Sequence, residues 1–78
     1  MSWVELNSNL LAAASYHPDA RRLSLRFHKG TVYHYLDVPA AVYDDLLSAP
    51  SAGAYFVHSI RDSYRFLVAH ESMQTGSG

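Results

Sequence analysis

The sequence contains no cysteine and no long apolar run, and these absences exclude several classes of protein. Without cysteine, the 78-residue chain has neither a disulfide framework nor a thiolate nucleophile. Every apolar run is far shorter than the roughly 18 residues of a membrane span. The apolar segment 10–14 also lacks the basic flank and the length of a signal peptide. We therefore expect a cytoplasmic protein with no membrane partner rather than a small secreted scaffold.

The sequence also lacks an excess of charge of either sign. Six Lys and Arg stand against seven Asp and Glu, which gives a net charge of −1. Non-specific attraction to nucleic acid grows with the number of phosphates that a protein neutralises. A nucleic-acid site on this chain would therefore have to be a local basic patch.

The remaining composition is that of an ordinary globular protein, 49% hydrophobic and 17% charged. A chain this short has room for one domain and buries only about 60% of the surface that its unfolded form exposes. We predict a single domain over residues 1–70. Residues 71–78 are polar and aperiodic, which predicts a disordered tail or a remnant of expression.

The clearest local pattern is a β-hairpin over residues 22–36. Leu23, Leu25 and Phe27 alternate with polar residues, which predicts a strand with one buried face. A turn at Lys29 and Gly30 follows, and the next segment is β-branched and aromatic, as expected for a second strand.

The register of this hairpin has two alternatives. A two-residue loop places Tyr33 and Tyr35 on the surface, on the face opposite Leu25. A three-residue loop with Gly30 in a left-handed bulge position instead pairs Leu25 with Tyr33 and Leu23 with Tyr35. The second register places both tyrosine rings in the core.

The segments before the hairpin are predicted to be strands. Residues 3–6 read as a short strand with Trp3 at its edge, and a polar break follows. Residues 10–16 are Ala-rich, which by itself favours a short helix. A turn that begins at His17 and Pro18 leads directly into the hairpin, and this context favours a strand.

The segments after the hairpin are predicted to be two helices and a last strand. An amphipathic helix spans residues 39–49, ends at Pro50, and carries its apolar stripe at Val42, Tyr43, Leu46 and Leu47. Ser51 can cap a second helix that carries Phe56 and Ile60. Alternation at residues 64–69 predicts a strand that rejoins the sheet. The fold class is therefore α+β, a small antiparallel hairpin-centred meander with two short helices packed on one face.

A longer series of residues resembles the KTSC domain family over about residues 4 to 68. The series comprises Ser8-Asn9-Leu10, Tyr16, Leu23-x-Leu25-x-Phe27-x-x-Gly30, Tyr33-x-Tyr35, Val38-Pro39, Val42-Tyr43-x-x-Leu46, Ser51-x-Gly53-x-Tyr55-Phe56 and Ile60-Arg61-x-x-Tyr64. Each element alone is weak, but their order and spacing together are specific.

The resemblance implies a family that occurs at the C-terminus of some lysyl-tRNA synthetases and as small stand-alone bacterial and phage proteins. RNA binding has been suggested for it from that association. The family pattern has a charged or polar residue between the two tyrosines, here His34, which favours the three-residue loop. Ser15 and Val57 depart from the family's usual Gly and Asn, and Val57 cannot supply a polar contact that an asparagine would.

The aromatic and basic residues have two readings. Tyrosines in so small a chain serve first as core packing, but aromatic rings beside cations on a sheet are also how RNA-binding sheets stack bases. Arg61 either pairs with a nearby aspartate or contacts a ligand. The candidate ligand-binding residues are Arg26, Lys29, Tyr33, Tyr35, Arg61, Tyr64 and Arg65.

Two binding functions fit this candidate site. The first is an RNA- or tRNA-binding module that stacks bases on tyrosines and holds phosphates with its cations. The second is a protein-interaction module that uses the same surface or the sheet edge. Either protein would be a monomer or a weak dimer, and only phosphate-dominated binding must weaken steeply with salt.

Catalysis and cofactor binding have little support in the sequence. The five histidines show no i, i+4 spacing of metal ligands and no cysteine accompanies them. The serines lie in no nucleophile-elbow motif. We expect no enzyme activity, no metal and no cofactor.

Overall fold

A computed structural model describes residues 3–69, so the predicted tail at 71–78 lies outside the described residues. These residues form a five-stranded antiparallel sheet, whose strand order follows the chain, and two helices inserted before the last strand. The elements are β1 (Val4–Glu5), β2 (Leu11–His17), β3 (Arg22–Phe27), β4 (Val32–Tyr35), α1 (Ala40–Ser48), α2 (Ala52–Ser59) and β5 (Phe66–Ala69). The predicted α+β class and meander are confirmed.

The hairpin between β3 and β4 has the three-residue loop. Leu25 pairs with Tyr33 and Leu23 pairs with Tyr35. The Phe27 amide donates to the Thr31 carbonyl at 2.9 Å, and Gly30 has a φ of +104°. The two-residue alternative is therefore wrong, because it would have shifted every side chain of β4 to the other face.

One face of the sheet carries the core. Leu11 and Ala14 of β2, Leu23 and Leu25 of β3, and Tyr35 of β4 are all buried there. The helices cover this face with residues such as Leu46 of α1, Phe56 of α2 and Ile60 directly after α2. Each fully buried side chain of this size contributes about 1.5–3 kcal/mol relative to an exposed one.

Two details of the elements differ from the sequence prediction. The stripe of α1 was expected to include Leu47, but this side chain is exposed. Leu46 takes the buried position, and the next residue lies about 100° further round the helix axis. The register of the β2–β3 pairing also shifts between Leu11 and Ala13, and no pattern in the sequence predicted this irregularity.

Neither helix has the length and apolar character that a membrane crossing requires, within the part of the chain that the structure describes.

Candidate functional site

The sheet separates the predicted site residues into two groups. Tyr33 and Tyr35 share the helix-covered face with Leu25 and Leu23, their cross-strand partners. Arg26 alternates with Leu25 and therefore points to the opposite face. The predicted residues thus do not form one continuous surface.

Tyr35 is a core residue rather than a stacking platform. It is only 2% exposed, and its ring packs edge-on against Phe56 with 5.8 Å between centroids. The pKa of Tyr35 is raised to about 12, mainly by burial; the neighbouring Tyr33 and Asp62 contribute to the rise, and Arg61 opposes it. Tyr64 is half-buried and packs against the core as well.

Tyr33 and Arg61, two other predicted site residues, line a cleft on the helix-covered side, between β4, β5 and the turn after α2. We call it the aromatic cleft; its volume is about 340 Å³. Arg61 and Asp62 stand at its rim, with 3.9 Å between Arg61 Nε and Asp62 Oδ1, and both side chains are exposed. The aromatic side chains that line it are Phe27, Tyr33, Tyr35, Phe56 and Phe66.

A second depression adjoins the aromatic cleft at the hairpin turn. Its volume is about 360 Å³, and Leu10, Phe27 and Tyr33 line both spaces. His28 and Lys29 line only this second depression. Lys29 is therefore on the same side of the sheet as Tyr33 and Arg61.

The opposite side of the sheet is not covered by either helix, because both helices contribute to the core on the first side. We call it the open face. By strand alternation it consists of Glu5, Ala13, Ser15, His17, Arg22, Ser24, Arg26, Val32, His34, Leu67 and Ala69.

Trp3 and Arg65 extend the open face beyond the ends of the strands. The Arg26 guanidinium carbon lies 5.1 Å from the centre of the Trp3 ring, within cation–π distance. The Arg65 carbonyl accepts from the Leu36 amide at 2.9 Å, which continues the β4–β5 pairing by one residue. Alternation then places Arg65 on the open face.

The floor of the open face is small and polar. Ser24 is 1% exposed, and its Oγ lies 2.7 Å from His34 Nδ1 in a hydrogen bond. Arg22 is half-buried, and its Nε has no hydrogen-bond partner among the described residues. This Nε is itself buried, so leaving it without an acceptor costs free energy.

The open face of the sheet and the helix-covered side differ in charge. Arg22, Arg26 and Arg65 share the open face, and Glu5 is the carboxylate that the strand pairings place there. Asp44 and Asp45 lie on α1, and Asp62 lies in the turn after α2. Lys29 and Arg61 lie on the same side as these aspartates, whereas the open face carries a local excess of positive charge.

Sequence reasoning missed Trp3, Arg22 and His34 as members of a basic and aromatic surface. The signal was available, since residues 22, 24 and 26 alternate with the three apolar residues that predicted β3. What the sequence could not supply was the pairing of β1 with β2 and β2 with β3, which brings Trp3 to Arg26.

Two elements of the motif series that are far apart in the chain, the one with Ser8 and the one with Gly53, pack together and stabilise the fold. Ser8 Oγ accepts from the amides of Leu10 and Leu11 at 3.1 and 3.2 Å, where β2 begins. A Cβ added at Gly53 would lie 3.1 Å from the same oxygen. Val57 lines the depression of about 580 Å³ beside this contact.

Across residues 3–69, no group of three or more potential metal-ligating side chains comes together.

These features define a small antiparallel α+β domain with one sheet face covered by helices and the other left open by residues 3–69. The family model of the KTSC domain matches residues 7–64. The chain therefore belongs to the KTSC domain family, as its motif series indicated.

Known relatives agree with this assignment. A protein of Tsukamurella paurometabola is 38% identical over 60 residues, which cover 77% of this chain and 90% of that protein. A lysine–tRNA ligase of Nostoc sp. is 34% identical over 58 residues, which cover 74% of this chain but only 10% of the ligase. The crystal structure of a KTSC domain protein from Yersinia pestis superposes with a TM-score of 0.83 at 27% identity, covering 88% of this chain and 97% of that one.

Proposed function

We propose that this protein is a non-catalytic module that binds single-stranded RNA on its open face. The observation that carries the proposal is the grouping of Arg22, Arg26 and Arg65 on the uncovered side of the sheet, while Asp44, Asp45 and Asp62 lie in the helix layer. RNA-binding sheets use this arrangement, with cations on phosphates and aromatic rings under bases.

The side chains of the open face fit these two tasks. Trp3 is 40% exposed and offers an aromatic surface for a base. Arg26, which lies against Trp3, and Arg22 place two guanidinium groups on this face, and guanidinium groups donate to phosphate oxygens. The similarity to a segment of a lysine–tRNA ligase supports RNA as the nucleic acid.

The test is a fluorescence-anisotropy titration of labelled single-stranded RNA and tRNA at low and moderate salt. We expect affinity to fall as salt rises, and Arg26→Ala to weaken binding and reduce the salt slope by about one phosphate contact. Lys29→Ala is the matched control, because it removes the same charge from the hairpin turn on the other side of the sheet. Absence of binding at low salt, or equal losses in both variants, would refute the open face as the RNA site.

A second candidate function, docking of a partner protein, is favoured by one observation. β5 lies at the edge of the sheet, and Phe66 and Leu67 are 46% and 58% exposed. Exposed apolar edge strands can accept a strand from another chain. If RNA does not bind, a pull-down that is abolished by Leu67→Lys would support this function instead.

A further inference from the structure

The aromatic cleft has features of a small-molecule site, and the RNA binding proposed for the open face does not involve it. It lies on the other side of the sheet, and its volume of about 340 Å³ falls within the usual range for ligand pockets, about 300–1,000 Å³. Its walls are mainly aromatic and its polar groups converge at one rim, which is the usual composition of such pockets.

One wall of the cleft remains accessible to a ligand. Phe66 is 46% exposed, although its ring lies 5.2 Å from Tyr33 and 5.5 Å from Tyr35. Tyr33 is half-buried. A flat ring that enters the cleft can therefore stack on Phe66 or Tyr33 while Tyr35 and Phe56 hold the floor in place.

The rim supplies one donor group and one acceptor group side by side. Arg61 only donates hydrogen bonds and Asp62 only accepts them. Their contact of 3.9 Å is long and exposed, and such surface pairs are weak, so both groups remain able to bind a ligand. A matching ligand is flat, aromatic, and carries acceptors next to donors along neighbouring edges.

We propose that the aromatic cleft binds a single nucleobase, with guanine as the best match. Arg61 would donate to guanine O6 and N7, the acceptor pair that arginine commonly recognises. Asp62 would accept from the adjacent N1–H and the N2 amino group. Lys29 lines the adjoining depression, and its ammonium group would hold the phosphate of the nucleotide.

The ligand of the cleft is a free guanine nucleotide, and the RNA strand proposed for the open face is a separate ligand. The choice of a nucleotide rests on the proposed function, but the two sites lie on opposite sides of the sheet and have separate residues. Variants of one site therefore test it without removing the other.

The experiment is a titration of GMP, AMP, CMP and UMP into isotope-labelled protein, followed by amide chemical shifts. We expect saturable shifts around Tyr33, Arg61 and Phe66 with GMP, and weaker binding of the other three nucleotides. Phe66→Ala should weaken GMP binding about tenfold or more, because it removes the exposed stacking surface. Leu67→Ala is the matched control, since Leu67 is the exposed apolar neighbour on the open face.

Three further variants keep the result interpretable. Phe66→Leu preserves apolar volume but removes the flat ring, so it separates lost stacking from lost folding. Asp62→Asn should reduce the preference for GMP over AMP, because a neutral amide is a poorer acceptor for two donors than a carboxylate. Arg26→Ala should leave GMP binding unchanged while weakening RNA binding.

The outcomes distinguish this proposal from the preceding one. RNA binding that depends on Arg26, without saturable shifts by any mononucleotide, would overturn the cleft proposal alone. GMP binding that survives Phe66→Ala, or shifts confined to the open face, would also overturn it. GMP binding at the cleft without any RNA binding would support the cleft as a free-nucleotide site and reject the open-face function.

Discussion

Gly30 determines which face of β4 carries the tyrosines. It adopts a φ of +104° in the turn between β3 and β4, where its amide donates to the Phe27 carbonyl at 2.8 Å. A Cβ at this position would meet no atom within 4 Å, so only the backbone conformation demands glycine. Because the side chain of an L-residue disfavours positive φ, this one position helps to select the three-residue loop.

Gly30→Ala should therefore destabilise the fold by about 1–2 kcal/mol, the cost of a positive φ for a residue with a Cβ. Gly30→Asn should lose less stability, since asparagine adopts a positive φ more readily than alanine does. Urea unfolding would show a lower midpoint with an unchanged slope. An alanine variant as stable as the wild type would mean that the turn relaxes to another geometry.

At the residue scale, the sequence predicted pairings better than surfaces. Gly30 and the motif around His34 correctly favoured the register that buries Tyr35. They did not reveal that Tyr33 stays half-buried beside an exposed Phe66, because that depends on how β5 docks at the edge. The contact of Trp3 with Arg26 depends likewise on long-range pairing.

At the element scale, α2 begins at a capping serine that the sequence identified. Ser51 Oγ accepts from the Ala54 amide at 3.2 Å, satisfying one of the free amides of the first turn. α1 differs, because the residue before it is Pro39 and no side chain caps it.

We expect Ser51→Ala to lower the free energy of unfolding by about 1 kcal/mol, the usual value of an N-cap hydrogen bond. Ser51→Asp restores an acceptor and should retain most of the stability. Thermal or urea unfolding of the three proteins measures the difference. Equal stability of the alanine variant would show that water satisfies the Ala54 amide as well as the serine does.

The strand conformation of β2 depends on the strands next to it. Its Ala-rich sequence suits a helix, yet it lies between β1 and β3 with Ala13 and Ala14 fully buried. The turn at His17 and Pro18 was enough to predict a strand. The irregular pairing near Leu11 was not predictable, because a bulge adds one residue without a characteristic sequence.

At the scale of the whole molecule, stability should depend on tyrosine ionisation at high pH. Burial raises the pKa of Tyr35 to about 12, and burial also raises the pKa of Tyr43 and Tyr55. The unfolded chain loses these protons near pH 10, the usual tyrosine value, before the folded chain does. The folded state then binds more protons, so stability decreases as pH rises.

We expect the urea midpoint to be insensitive to these tyrosines below about pH 10 and to fall between about pH 10 and 12. Tyr35→Phe should show a shallower alkaline decline, because it removes a group whose pKa is raised in the folded state. The decline should not vanish, because Tyr43 and Tyr55 remain. An identical alkaline decline in both proteins would contradict the burial of Tyr35.

The order of the strands has a consequence for how the chain folds. The first three strand pairings join neighbours in sequence across short connections, and only β5 must cross two helices to reach β4. Such local pairings are fast to form, whereas the last one closes a longer loop. The aromatic cleft and the exposed edge both include Phe66, so they are completed only when the final strand docks. During synthesis, the part of the open face on β1 to β4 can therefore take shape before the cleft exists, and Arg65 joins it only with β5.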